Sequence, residues 1–381
     1  MSPTPVSMAV PTAPAGYTWE ATSEAVAAKY GVPVEQILRF DLNTSPAPPD
    51  LVGRVLATGR FETSLSEYPP SDYRRLSEAA AEVYGVRRSE VLVGAGADEV
   101  LDMCAKAFLA PGFAATVAVP TYSMYRVVSE QRGARVIPVP RLARDRGYAL
   151  DLPAMRAAAR ESTLVWLCNP NNPTGRAEPA GTIEALLSEI EADAAADGRQ
   201  PPAVVVDEAY AEFAGVSAIP LLAVHPRLVV VRTASKAYAL AGLRVGFALA
   251  QRQTLELIEP YRPPGSVSTI SVTVVTEALR DRGALDANIE RVEAERARLA
   301  AQLRGLGWHV DPSVTNFLLV DFGSPERAER TADALLRRGL VPRTFPQGHP
   351  LVDHLRFTVR NGPENDRLIA AAREIAREEA A

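Results

Sequence analysis

Only three of the 41 basic residues in this 381-residue chain are lysine: Lys29, Lys106 and Lys236. All the others are arginine. A guanidinium stays protonated and cannot serve as a nucleophile, whereas an amine can. A chain that uses arginine wherever charge suffices keeps a lysine where the amine itself is needed. Lys29 and Lys106 sit in the helical patterns EAVAAKYG and VLDMCAKAF, where ordinary surface lysines are expected. Lys236 is different. It stands in Arg232-Thr233-Ala234-Ser235-Lys236-Ala237-Tyr238, with hydroxyls at Thr233 and Ser235 before it and Arg244 after it in Leu240-Ala241-Gly242-Leu243-Arg244-Val245-Gly246.

Three further motifs could do chemistry. Val93-Gly94-Ala95-Gly96-Ala97-Asp98-Glu99 precedes an apolar run of helical period, and free N–H groups at such a helix start suit a phosphate. Its spacing is not that of a nucleotide-binding P-loop. Cys168-Asn169-Pro170-Asn171-Asn172-Pro173-Thr174-Gly175 crowds three amide side chains and two prolines into one turn after an apolar run. Val204-Val205-Val206-Asp207-Glu208-Ala209-Tyr210 places an acid at the end of a buried stretch. Asp207 there either caps the next turn or serves a ligand.

These motifs need elements to hold them. Short apolar runs predict strands at 91–93, 116–119, 135–139, 164–168, 203–206, 228–231 and 245–250, with amphipathic helices at 122–131 and 182–194 between them. Strand–helix alternation predicts an α/β fold with a mostly parallel sheet flanked by helices. Ligands of such sheets bind beyond the carboxyl ends of strands, which is where the motifs fall. The last hundred residues read as helices over 268–282 and 285–306, strands at 309–310, 316–320, 341–344 and 355–359, and a closing helix over 363–379, forming a smaller α+β unit. The first fifty residues carry one helix, 23–30, and the Pro-rich segment Ser45–Pro49. The expected division is an N-terminal arm over 1–50 that completes the small unit, a large cofactor-binding domain over 51–267 and a small domain over 268–381.

Composition narrows the function. A net charge of -5 with 23% charged and 47% hydrophobic residues describes an ordinary globular chain and gives no case for nucleic acid or an acidic membrane. Cys104 and Cys168 each lie in an apolar run and make no disulfide framework or metal-ligand spacing. His225, His309, His349 and His354 form no HExxH pattern, so no metal site is expected. Residues 1–16 lack the basic start and apolar run of a signal peptide, and no stretch reaches the roughly 18 apolar residues that span a bilayer. A cytoplasmic location is expected.

NPNNPTG, DEAY and SKAxxLAGLRxG, in this order, resemble the fold-type-I pyridoxal-phosphate aminotransferases, and within them the histidinol-phosphate aminotransferases. The likeness runs from about Tyr17 to the C-terminal helix. It implies a fold-type-I transferase with a seven-stranded sheet and pyridoxal 5'-phosphate as cofactor. By this resemblance Lys236 is the Schiff-base lysine, which later moves a proton. Asp207 pairs with the pyridine nitrogen. Asn172 and Tyr210 bond the phenolic oxygen, and Tyr122 stacks on the ring. The phosphate falls to the backbone of Ala97 and Asp98, to Thr233 and Ser235, and to Arg244. Tyr68, in Glu67-Tyr68-Pro69, matches a tyrosine that reaches the phosphate of a neighbouring subunit, which implies a homodimer with shared active sites. Arg356 and Arg343 match the arginines that take the anionic group of the substrate, and Tyr17 a tyrosine that closes over it.

The resemblance implies L-histidinol phosphate as amino donor and a 2-oxo acid such as 2-oxoglutarate as acceptor. The chain departs from the family pattern at Thr18-Trp19-Glu20, at Asn43–Pro49 and at Arg360, segments expected near the substrate end of the cleft. Aromatic or other amino acids are therefore alternative donors. Threonine-phosphate decarboxylases, which share the CNPNNPTG run, are an alternative of another reaction type. A cofactor-sensing regulator is the non-enzymatic alternative, and no basic helix-turn-helix pattern precedes the large domain to support it.

Overall fold

The computed structural model describes residues 21–380. Twelve strands are present among them: β1 (Leu38–Arg39), β2 (Val91–Gly94), β3 (Ala114–Val119), β4 (Arg135–Pro140), β5 (Leu164–Cys168), β6 (Ala203–Asp207), β7 (Leu228–Thr233), β8 (Gly246–Ala250), β9 (His309–Val310), β10 (Phe317–Asp321), β11 (Leu340–Val341) and β12 (His354–Thr358). Seven form one sheet in the order β2-β8-β7-β6-β5-β3-β4. The neighbours from β7 to β4 are parallel, while β8 runs antiparallel to both β7 and β2.

The central strands are apolar on both sides because both faces of the sheet are covered. In β6, Val204 and Val206 join one hydrophobic core, and Ala203 and Val205 join the other. The helices Gly96–Phe108 and Met124–Gln131 cover the second face, where Val100, Met103, Tyr125 and Val128 meet Trp166 and Val229. The helices Leu152–Ala159 and Thr182–Ala196 cover the first with Met155, Leu186 and Ile190. Burying one such valine or leucine contributes about 1.5–3 kcal/mol, so the sheet is a stiff base for the loops at its end.

Strand direction decides where the motifs meet. The carboxyl ends of β2, β3, β5, β6 and β7 lie at one edge, together with the amino end of β8. The register there sets Gly94 and Thr233 each opposite Gly246, and Cys168 beside Asp207.

Two smaller sheets complete the fold. β12-β10-β9 is antiparallel, and β1 pairs in parallel with β11, joining the N-terminal segment to the C-terminal part of the chain. The helix Arg282–Gly305 packs on β9, on β10 and on the closing helix Gly362–Ala380, while the helix Thr269–Arg280 packs on Asp50–Thr58 and Arg74–Tyr84. No helix of the described residues is long and apolar enough to cross a membrane.

Candidate active site

Each asparagine of the Asn169–Asn172 turn has a separate task. Asn169 Oδ1 accepts from the Glu178 N–H at 2.9 Å, and Asn171 Nδ2 donates to Pro120 O at 3.1 Å and to Thr174 Oγ1 at 3.0 Å. These bonds close the turn and tie it to the end of β3. That leaves Asn172 facing the cleft, where its Oδ1 accepts from Arg356 Nη1 at 2.6 Å. An amide whose oxygen is taken in this way offers its N–H groups outward.

Asp207, at the end of β6, is buried. Its Oδ1 accepts from the Ala209 N–H at 3.1 Å and its Oδ2 from the Tyr125 hydroxyl at 2.8 Å. Burial pushes its carboxyl up to about 6, against the lowering effect of those two bonds. Asp207 therefore does cap a turn, and it is also a buried acid that favours either a proton or a cationic partner. Tyr125 was not anticipated from sequence. It stacks on Trp166 at 5.5 Å between ring centres and meets Tyr122 edge-on at 5.8 Å.

Lys236 follows β7. Its Nζ donates to Asn43 O at 3.2 Å and lies 5.8 Å from the centre of the Tyr210 ring. Burial first, and then the positive charge of Arg356, bring the amine down to about 8. The other two lysines are elsewhere: Lys106 pairs with Asp102 at 2.6 Å along its own helix, and Lys29 lies over the Tyr30 ring.

The glycine-rich turn opens the helix Gly96–Phe108, whose first N–H groups have no acceptor within the helix. Gly96 has φ +82°, and a Cβ there would stand 2.4 Å from Arg244 Nη2. A Cβ at Gly246 would stand 2.4 Å from the Gly96 carbonyl carbon. Glycine at both positions lets Arg244, itself at φ +50°, lie over the helix start. Arg244 Nη2 donates to Asp98 Oδ2 at 3.1 Å, and the Tyr122 hydroxyl donates to Asp98 Oδ1 at 3.0 Å. Thr233 Oγ1 lies 2.9 Å from Ser235 Oγ.

The structure thus gathers Ala97, Asp98, Tyr122, Asn172, Asp207, Tyr210, Thr233, Ser235, Lys236, Arg244 and Arg356 around one end of the sheet. Arg356 is buried, donates to Asp41 O at 2.5 Å as well as to Asn172, and exchanges both backbone hydrogen bonds with Arg343. Tyr68 is 88% exposed. Tyr17 and the segment at Trp19 lie outside the described residues. Arg360 is 9% exposed. Its guanidinium is held by Glu364 at 3.0 Å and by Arg39 O at 3.1 Å. It braces the closing helix against the N-terminal segment.

A flat, phosphorylated pyridine with an aldehyde and a phenolic oxygen fits these residues. A buried carboxylate with a raised pKa suits a protonated ring nitrogen. Outward-facing donors at Asn172 and Tyr210 suit a phenolate, and a cradle that a Cβ would fill suits a phosphate beside Arg244. Known proteins agree. Residues 54–373 match the family described as aminotransferase class I and II. The histidinol-phosphate aminotransferase of Roseiflexus castenholzii is 34% identical over 94% of this chain and 95% of its own length. That of Symbiobacterium thermophilum is 36% identical over 90% and 93%. The crystal structure of histidinol-phosphate aminotransferase from Sinorhizobium meliloti, in complex with pyridoxal-5'-phosphate, superposes with a TM-score of 0.82 at 27% identity, covering 95% of this chain and 96% of that one. The chain is a pyridoxal-phosphate enzyme and belongs to the class I and II aminotransferases.

Proposed function

We propose that this aminotransferase takes its amino group from L-histidinol phosphate and passes it to a 2-oxo acid such as 2-oxoglutarate. The observation that carries this reading is Arg356, buried at the cleft and bonded to Asn172. A buried guanidinium at that point grips an anion with two parallel N–H bonds. Arg343, on the adjoining backbone, supplies a second positive charge. Both the phosphate of the donor and the carboxylates of the acceptor meet this demand. The names carried by relatives at 34% and 36% identity point to the same donor.

The residues divide the work as follows. When bound, the cofactor supplies an electron sink for the bond-breaking at the substrate α-carbon. Lys236 would hold it covalently, and its amine would move the proton at that carbon. An amine brought down to about 8 is partly unprotonated near neutral pH, as a base must be. Asp207 would keep the ring nitrogen protonated, and Tyr122 would pack against the ring. Asn172 and Tyr210 donate to the phenolic oxygen. The N–H groups of Ala97 and Asp98, the hydroxyls of Thr233 and Ser235, and Arg244 hold the phosphate. Tyr68, exposed on its own subunit, serves the site of a second copy, so the working unit is a cytoplasmic homodimer.

The test is a spectral half-reaction. Purified holoenzyme is mixed with L-histidinol phosphate, with phenylalanine and with other amino acids, and loss of the visible cofactor band is followed. Histidinol phosphate is expected to convert the enzyme fastest. Conversion by phenylalanine at an equal or higher rate removes the proposed donor and leaves the family assignment in place.

A further inference from the structure

Asn43 belongs to the segment that departs from the family pattern, and the sequence gives it no role. In the structure it is 2% exposed, has φ +54°, and joins four separate pieces of the chain. Its N–H donates to Thr358 Oγ1 at 2.9 Å, and its carbonyl accepts from Asn316 Nδ2 at 3.0 Å and from Lys236 Nζ at 3.2 Å. Its side-chain amide donates from Nδ2 to the Tyr210 hydroxyl oxygen at 3.0 Å. The other end of the amide, Oδ1, lies 3.4 Å from Thr358 Oγ1, whose own hydrogen goes to Phe40 O at 2.7 Å.

We propose that Asn43 is a positioning residue that sets the polarity of Tyr210. The oxygen of Tyr210 is occupied as an acceptor, so its hydrogen is turned into the cleft as a donor. The arrangement mirrors the one at Asn172, whose oxygen is occupied by Arg356. Two donors are thereby aimed into one cleft, Tyr210 held by Asn43 and Asn172 held by Arg356. The same residue also places a carbonyl against the Lys236 amine, so one backbone position orients both the donor and the lysine. The groups facing the Tyr210 hydroxyl are Asn43, Arg356, Asp207 and Cys168, with Lys236 on the ring face and Phe317 edge-on at 5.2 Å. Burial raises the phenol well above its ordinary range, so Tyr210 keeps its hydrogen at any working pH, and Asn43 governs only where that hydrogen points.

The inference rests on the reading that Tyr210 donates to the phenolic oxygen of the cofactor. A donor at that oxygen stabilises its anionic form, so weakening the donor raises the pH at which the bound chromophore takes up its proton. The experiment is a pH titration of the visible absorbance of the substrate-free holoenzyme for the parent, Asn43→Gly, Asn43→Asp and Tyr210→Phe. Glycine keeps the left-handed backbone and the three main-chain bonds and removes only the amide. Its midpoint is expected to rise by about half a pH unit, the size of one hydrogen bond. Asn43→Asp is expected to rise further, because a carboxylate accepts the Tyr210 hydrogen and draws it out of the cleft. Cofactor retention on a desalting column and far-ultraviolet circular dichroism establish that each variant is folded. A raised midpoint in Tyr210→Phe with an unmoved midpoint in folded Asn43→Gly overturns the role of Asn43. An unmoved midpoint in Tyr210→Phe overturns the reading of Tyr210, and the role of Asn43 with it.

Discussion

Replacing Asp207 by asparagine is expected to make the cofactor-free protein more stable while it disables the enzyme. Asp207 is 4% exposed, and burial lifts its carboxyl from 3.8 to about 6. A carboxyl whose folded value is raised favours the folded state only where it is protonated. That advantage is present below the unfolded value and is lost as the pH rises through 4 to 6. Above the folded value the charge is present in both states, and the folded state carries the full penalty. A shift of roughly two units corresponds to about 3 kcal/mol. Asparagine has no charge to bury, but its single oxygen can accept from only one of the two donors, Tyr125 and the Ala209 N–H, which costs about 1 kcal/mol. The net gain at pH 7 is about 2 kcal/mol in the apoprotein. The assay is urea denaturation of the apo forms of parent and Asp207→Asn at several pH values between 4 and 8. The difference between them should grow in favour of the variant from pH 4 to 6 and stay level above. The holo variant should lose most of its turnover, since the ring nitrogen no longer faces a charge. A stability difference that does not change with pH, or that favours the parent at pH 7, refutes the reasoning.

Two other outcomes follow from the same geometry. Borohydride reduction of the holoenzyme, followed by peptide mapping, should fix the cofactor on Lys236. Label on Lys29 or Lys106 contradicts the assignment, and Lys236→Ala should abolish turnover while still retaining cofactor by its non-covalent contacts. Sedimentation should show an active dimer, and Tyr68→Phe should weaken cofactor retention although Tyr68 is exposed on its own chain. A fully active monomer at assay concentration removes the shared site.

Much of this was legible in the sequence because the sheet is covered on both faces. Continuous apolar strands stand out, and β5 and β9 begin and end where the pattern puts them. The motifs at their ends were readable because each uses residue types that a plain turn does not need. Other features were hidden for physical reasons. β11 was expected over 341–344 and covers only Leu340–Val341, because Pro342 has no N–H to give and Arg343 makes only a bridge to Arg356. The two long helices break at Asp281, whose side chain caps the second by accepting from the Ala284 N–H at 3.1 Å. A two-residue strand such as β1 has no period to detect. Tyr125 reads as a core aromatic on a helix, and nothing local shows that its hydroxyl meets an acid 82 positions away. Arg360 stood out in the sequence as a departure from the family pattern, and only the fold shows that it pairs with Glu364.

The pairing of β1 with β11 carries a consequence for how the chain is made. Asn43 meets Thr358 across 315 positions, and Leu38 pairs with Leu340 in parallel. On the ribosome the seven-stranded sheet is complete once Ala250 has emerged, and the turns that cradle a phosphate are complete with it. The segment behind Lys236 must wait for nearly the whole chain, since its partners are among the last residues to be synthesised. The residues of the anion cradle are therefore all synthesised long before Thr358, the residue that anchors the segment behind Lys236.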